Sequence, residues 1–460
     1  MQETMQLIDG CRRIRFDDLP PEVIDRSKYL MLDYLGVVVR GSTTPSAACA
    51  QSLVRRLGSV GRSRIAGTHL SGDPLYAALA NGIAAHSIEC DDVVNAASLH
   101  PAVTVITSAL SAADLAGGCS GRDVMAAIVA GYEMTIRLGV AVNPAAHYRR
   151  GFHPTATCGT FGAAVTAARI LKLNRRQTAD AIGIAGSQAA GSMAYLTDGV
   201  YTKRFHAGWA AHSGLCAALL AADGFSGPHT IFEDRFGFFN GYSDAPQPQK
   251  LFQSWQDPYR IMQTSIKPYA CCRYNQGPID CILAIVRENE LAAGDIQRIR
   301  TGILSAGMAL VADPIEKKRR PQTIVDAQFS MPFGAAAAVL FGNASLDAYT
   351  AENLQSTTVQ DLMQRVSCFT DPALDACYPE RWPAAVEIET GDGRLLKKHI
   401  DYPRGDPENP LSREDVTQKF RHMVAPVLPP PQAQAIIEAV QTLEGQTDVA
   451  DLTALLTPKT

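Results

Sequence analysis

Along roughly the first 250 positions, apolar residues return every three to four places, the interval that lines up one face of a helix. Pro20-Pro21 opens one such segment, and Val23, Ile24, Ser27, Leu30, Met31, Tyr34 and Val38 keep helical spacing until Gly41. Ser120-Gly121-Arg122-Asp123 has the form of a capping box and predicts an apolar helix running towards Gly139. Segments 75–85, 162–171 and 207–222 are dominated by Ala, Gly and Ser. Small side chains let helix backbones approach closely, so these segments predict deeply buried, tightly packed helices.

The period changes near Lys267. Residues 296–301 and 385–390 alternate apolar and polar and read as strands. Gly391-Asp392-Gly393 then forms a turn, with 395–400 as its hairpin partner. Helical spacing at 279–287 and 332–341 lies among these strands. After Pro410 the pattern is helical again, through Phe420, Met423, Ile436, Ile437, Val440 and Leu443. The expected fold is mainly α. A large all-helical domain forms from both chain ends (1–266 and 402–460), and a smaller α+β lid domain is inserted over 267–401. Pro429-Pro430-Pro431 reads as a short linker. The charge run Glu316-Lys317-Lys318-Arg319-Arg320 reads as a solvated loop.

Composition narrows the function classes. Only 19% of the 460 residues are charged, below the roughly 25% of an average soluble domain, so much of the chain lies in a core or a subunit interface. An apolar content of 46% excludes a disordered chain. A net charge of −4 gives no basic face for nucleic acid. The uncharged run 329–346 is broken by Pro332, Gly334 and Gly342-Asn343, so a soluble helix is expected there and no membrane span. Asp9, Arg12, Arg13, Asp17 and Asp18 precede any apolar stretch, which argues against a signal peptide. Eleven irregularly spaced cysteines, an odd number, fit a reducing cytoplasm.

Several chemistries lack their signatures. No G-x-G-x-x-G follows a strand, and no Walker A loop or G-x-S-x-G elbow occurs. Gly183-Ile184-Ala185-Gly186 lacks dinucleotide spacing, Cys271-Cys272 is adjacent rather than C-x-x-C, and His86-Ser87-Ile88-Glu89 is not H-E-x-x-H. Neither metal nor cofactor is expected.

Four polar constellations interrupt the small, apolar background. In His86-Ser87-Ile88-Glu89-Cys90-Asp91-Asp92, followed by His100-Pro101, three carboxylates fall within four positions. Crowded carboxylates raise one another's pKa and can supply an acid or base. A helix continuing from Ala77 would put His86 and Glu89 or Cys90 on one face; the plain alternative is a helix end with solvated acids. Arg149-Arg150-Gly151-Phe152-His153-Pro154-Thr155 places a histidine before a glycine-containing helix start, as a base or simply as a turn residue. Lys203, Arg204 and His206 precede an Ala-rich helix at its positive end, where the dipole does not stabilise cations, and this favours an anion site over a surface turn. Lys267-Pro268-Tyr269-Ala270-Cys271-Cys272-Arg273-Tyr274 lies at the domain boundary, where clefts form, or is a hinge with solvated charges. Two loop histidines with three or four cations suit removal of a proton beside a carboxylate, because an enediolate needs fixed positive charge.

At these same residues the chain resembles the MmgE/PrpD family, which includes 2-methylcitrate dehydratase, cis-aconitate decarboxylase and iminodisuccinate epimerase. The resemblance runs from Leu19-Pro20-Pro21-Glu22-Val23 through Asn81-Gly82, His86 to Asp92, Ala130-Gly131-Tyr132-Glu133 and Gly151-Phe152-His153-Pro154-Thr155. It continues through Gly186-Ser187-Gln188, Thr202-Lys203-Arg204-Phe205-His206, Lys267 to Arg273 and Asp326-Ala327-Gln328-Phe329-Ser330 to Lys419-Phe420. It implies a helical domain built from both chain ends with an α+β lid, a cytoplasmic or mitochondrial homodimer, no cofactor, and a small polycarboxylate as substrate.

Carried over motif by motif, the resemblance makes His100 and His153 the proton-transfer candidates. Glu89 and Asp92 are the acidic partners, and Lys203, His206, Lys267, Arg273 and Cys272 the substrate-binding set. The chain reads Glu89-Cys90-Asp91-Asp92-Val93 where the decarboxylase and dehydratase branches resemble D-F-D-D-T. Cys272 and Phe333 stand where the decarboxylase branch has histidine and tyrosine. Such losses of hydrogen-bonding groups change which substrate is tolerated. The expected activity is a lyase that takes a proton α to a carboxylate and eliminates water, with epimerisation, decarboxylation and a silent polycarboxylate binder as alternatives.

Overall fold

Pro21 sits in the first turn of the Pro21–Gly41 helix, where its missing N–H costs no intrahelical bond. The computed structural model describes residues 3–58, 60–255, 257–379 and 381–459. Ser120 caps the Gly121–Ala141 helix, its hydroxyl accepting from the Asp123 N–H at 3.2 Å. By length and apolarity that helix could cross a membrane, but 94% of its apolar window is buried inside the protein, as in a core helix.

The Ala-, Gly- and Ser-rich segments form helices that pack closely. A Cβ on Gly82 of the Pro74–Ala85 helix would come within 2.6 Å of Gly208 Cα in the Thr202–Ala222 helix. Gly159 of the Pro154–Ile170 helix meets Thr104 of Ala102–Leu115, and Gly214 meets Thr160 and Ala163. These contacts hold four helices against one another, and Gly82, Thr104, Gly159 and Gly208 lie within six positions of His86, His100, His153 and His206. The first apolar core draws on this half and on the chain's last helices. Phe420 and Met423 of the Arg413–Val424 helix lie against Gly36.

Beyond Lys267 a four-stranded sheet runs Val366–Phe369, Ile296–Gly302, Ala384–Thr390, Leu395–Ile400. The first pair is parallel and the other two antiparallel, and Ala384 faces Ile400 in the expected hairpin. The Val366–Phe369 strand was not expected from sequence, because its burial does not alternate. The Arg273–Glu288 helix packs on the sheet and on the Met331–Phe341 helix. Their side chains form a second core, which Val37, Ile88, Cys90 and Met423 enter from outside.

Two local expectations fail. Pro430 and Pro431 begin the Pro430–Gln441 helix and do not form a linker, since proline is well suited to a first turn. The run at 316–320 is not simply solvated: Lys318 Nζ donates to the carbonyls of Leu310 and Phe329, and Arg319 donates to that of Val366. All eleven cysteines are free thiols.

Candidate active site

The helix expected to carry His86 and Glu89 on one face ends at Ala85, with His86 as its C-cap. The chain then turns into an irregular loop in which Glu89 adopts a left-handed φ of 55°, uncommon for a residue with a Cβ. Ile88 and Cys90 plug into the second core. Side chains from three distant segments, and one from the next turn of chain, hold the loop's carbonyls. Gln328 Nε2 donates to Ile88 O at 3.0 Å, Lys267 Nζ to Glu89 O at 3.1 Å, and Lys419 Nζ to Cys90 O at 2.8 Å. His100 Nδ1 donates to Asp92 O at 2.5 Å. Buried carbonyls need such partners.

The acids of the loop are therefore buried and paired, not solvated. Glu89 accepts two bonds from Lys203 Nζ, each 2.6 Å, and Lys203 lies in the first turn of the Thr202–Ala222 helix. Asp91 Oδ2 lies 2.7 Å from His86 Nδ1 and 3.2 Å from His100 Nδ1, and Asp91 Oδ1 lies 3.5 Å from Lys267 Nζ. Asp92 turns the other way, accepting from Tyr132 Oη at 2.8 Å and from the Ala102 N–H at 3.1 Å. His153 caps the Pro154–Ile170 helix and is held by its own N–H to Gly191 O at 2.9 Å. Its Nδ1 lies 3.2 Å from His206 Nδ1. The His86 ring stands between His100 and His153, with centroids 5.1 and 5.8 Å away.

These groups border a cavity of about 390 Å³, of the size that takes small ligands. Glu89, His100, His153 and Lys203 line it from the helical half; Lys267, Cys272, Arg273, Tyr274 and Phe329 line it from the other.

Burial sets the protonation states. It pushes the His100 imidazole down to about 3 despite the pull of Asp91, and His206 down to about 4. His153 is pushed well below the usual histidine range by burial and by the neighbouring His206. A backbone carbonyl only accepts, so His100 Nδ1 carries the hydrogen and Nε2 of the neutral ring holds the lone pair. Burial also disfavours charge on Glu89 and Asp91, but cations win. The Lys203 and Lys267 ammonium groups hold Glu89 below the carboxylate range; the N–H groups of His100 and His86 together with the Lys267 ammonium hold Asp91 well below it. Lys267 is raised, since the Asp91 and Glu89 carboxylates outweigh its burial. Only Asp92 behaves as crowding predicts: burial, with the Asp91 charge beside it, lifts it to about 8.

The sequence-derived set is thus split. Glu89, His100, His153, Lys203, Lys267 and Cys272 meet at the cavity, and His206 stands behind His153. Arg273 reaches the cavity wall, but its Nη2 bonds both oxygens of Asp406, at 2.6 and 2.7 Å, and its Nε bonds Asn95. Asp92 lies away from the cavity, on Tyr132. Phe333 is fully buried against Tyr349 in the second core and does not reach the site. Sequence reasoning missed Asp91 as the carboxylate that joins two histidines and a lysine. It also gave no role to Gln328 and Lys419, although both fall in the motifs at 326–330 and 419–420.

A helical half and an α/β half meet over lysines and neutral imidazoles, and both parts of the chain match models of one family. Residues 5–251 match the MmgE/PrpD N-terminal domain and residues 269–445 the MmgE/PrpD C-terminal domain, so the chain belongs to the MmgE/PrpD family. It is 27% identical to the cis-aconitate decarboxylase-like protein oryM of Aspergillus oryzae, over 98% of this chain and 97% of that protein. It is 27% identical to cis-aconitate decarboxylase of Homo sapiens, over 96% and 92%. To 2-methylcitrate dehydratase of Escherichia coli it is 24% identical, over 90% and 88%.

Proposed function

We propose that the protein is a lyase that removes a proton α to a carboxylate of a small di- or tricarboxylate and eliminates water. The observation that carries this reading is the neutral His100, its Nε2 lone pair available, in one cavity with the Lys203 and Lys267 ammonium groups. Nε2 takes the α-proton, and the electron pair spreads into the adjoining carboxylate as an enediolate. Lys203 and Lys267 offset that charge from fixed positions. The pair then forms the double bond as hydroxyl departs. Both His100 and His153 start neutral, so the proton that leaves with the hydroxyl is the one His100 Nε2 has just taken, its imidazolium being a stronger acid than the raised Lys267 ammonium. His153 is the alternative base, oriented through His206.

Decarboxylation is the second reading, favoured by the relatives of fullest coverage, which are named as cis-aconitate decarboxylases or decarboxylase-like. There the same cations would stabilise the carbanion left as CO2 leaves. Proton NMR in D₂O separates the readings, with citrate, 2-methylcitrate, cis-aconitate, malate and tartrates as substrates. New vinyl signals from a hydroxy acid support dehydration, and itaconate-like signals from cis-aconitate support decarboxylation. Loss of an α-proton without a new compound indicates an epimerase. Thermal stabilisation without any exchange would contradict all three and leave a silent binder. A homodimer is part of the same proposal, tested by light scattering.

A further inference from the structure

Arg204, in the first turn of the Thr202–Ala222 helix, is a cation that the active site does not use. It is only 7% exposed, yet its guanidinium makes no hydrogen bond or ion pair with the described residues. Its one partner among them is the Tyr201 ring, 5.1 Å away. Glu89, whose charge it feels, is already bonded twice by Lys203. Burial pulls Arg204 below the usual arginine value, and the positive end of its helix adds to the cost. A buried charge left in this state calls for an anion.

Arg204 borders a chamber of about 350 Å³ that shares no wall residue with the active cavity and backs onto the active-site loop at Ser87 and Ile88. Arg40 is the chamber's second cation. The one carboxylate on its wall, that of Asp347, is exposed and divided between Arg40, at 3.8 Å, and His422, at 2.9 Å. Thr323 and Thr350 accept from the Asp326 and Asn353 N–H groups, which leaves their hydroxyl hydrogens to donate. Tyr201 and Ile324, both exposed, add apolar surface beside these donors. Arg204 also borders a second chamber, in which Glu89, Asp313 and Asp326 face Lys203, Lys317 and Lys318, so an anion there meets as many acids as lysines.

We propose that the chamber of Arg40 and Arg204 binds a small organic oxyanion with an apolar body, at a site separate from the substrate cavity. The charged end pairs with the two guanidinium forks and the threonine hydroxyls, and the body lies on Tyr201 and Ile324. A chamber of this volume suits such a molecule and is larger than inorganic phosphate needs.

The test is calorimetric titration of the full chain with phenyl phosphate, phenylacetate and inorganic phosphate. One of the two aromatic probes should bind once per chain and more tightly than inorganic phosphate, and which one does so identifies the oxyanion as phosphate or carboxylate. Arg40→Gln and Arg204→Met should each weaken that binding about tenfold or more, the usual loss of a hydrogen bond to a charged group. Arg40 lines neither the active cavity nor the second chamber, so unchanged affinity in folded Arg40→Gln would put the probe elsewhere and overturn the site. Binding of none of the three, or of inorganic phosphate as tightly as the aromatic probes, would also overturn it. Without any anion, Arg204→Met should melt no lower than the wild type, because it removes an unpaired buried charge. A lower Tm would show that Arg204 is already paired within the fold and would count against the site.

Discussion

His86 and His100 share a single carboxylate oxygen: Asp91 Oδ2 lies 2.7 Å from Nδ1 of the first ring and 3.2 Å from Nδ1 of the second. Both rings thereby keep their hydrogen on Nδ1 and their lone pair on Nε2. The His86 Nε2 is buried with no partner among the described residues.

This sharing makes Asp91 the residue that orients the base. Asp91→Asn can present an N–H to the rings in place of an acceptor, which disturbs the tautomer without removing volume. We expect kcat to fall by about 10²-fold or more, with a smaller change in KM. Steady-state kinetics with the preferred substrate checks this; an unchanged kcat would remove Asp91 from the proton-transfer unit.

Burial of neutral His100 shapes the pH profile. A solvated histidine would lose its lone pair on acidification through about 6.5. With the folded-state value depressed to about 3, the acid limb of kcat/KM should lie well below pH 6. A limb near 6.5 would mean that the active base is a different, exposed group.

Asp92 predicts the opposite sign in stability. Its folded value, lifted to about 8, lies above the roughly 3.9 of an unfolded aspartate. Its contribution to stability is therefore complete below about pH 4 and is lost as pH rises through 8. Asp92→Asn mimics the protonated form and still accepts from Tyr132, so its Tm should depend less on pH between 5 and 9 than that of the wild type. Parallel Tm curves for the two proteins would show that Asp92 is ionised in the fold.

Glu89 and Lys203 form a buried pair, 3% and 10% exposed at the side chain. Glu89→Gln leaves Lys203 without its counter-charge, at a cost of about 3–5 kcal/mol for a buried pair broken on one side. A bound dicarboxylate should restore much of the lost Tm by supplying the missing carboxylate. Melting curves with and without malate test this, and a loss that malate leaves untouched would place the substrate carboxylates elsewhere.

The fold was legible where periodicity was strong. The 21–41 helix and the pairing of the 385–390 strand with 395–400 across the Gly391-Asp392-Gly393 turn both follow from spacing and turn residues. The strand at 366–369 was not, because four residues of mixed burial carry no period. At the site, the residue types were legible and their partners were not. Nothing in the spacing of Glu89, Asp91 and Asp92 says which one meets Lys203, which the histidines and which Tyr132. That sorting depends on the left-handed turn at Glu89 and on Gln328 and Lys419, up to 329 positions away, holding the loop's carbonyls.

The account stands most directly on one comparison. Its measure is α-proton exchange into D₂O by the wild type, His100→Gln and His153→Gln, each first shown to be folded by circular dichroism. The account predicts that exchange falls by at least about 10²-fold in His100→Gln, and that His153→Gln is also impaired because the His153–His206 pair is lost. Wild-type exchange in both folded variants would contradict it, and the base would have to be sought outside the histidine cluster.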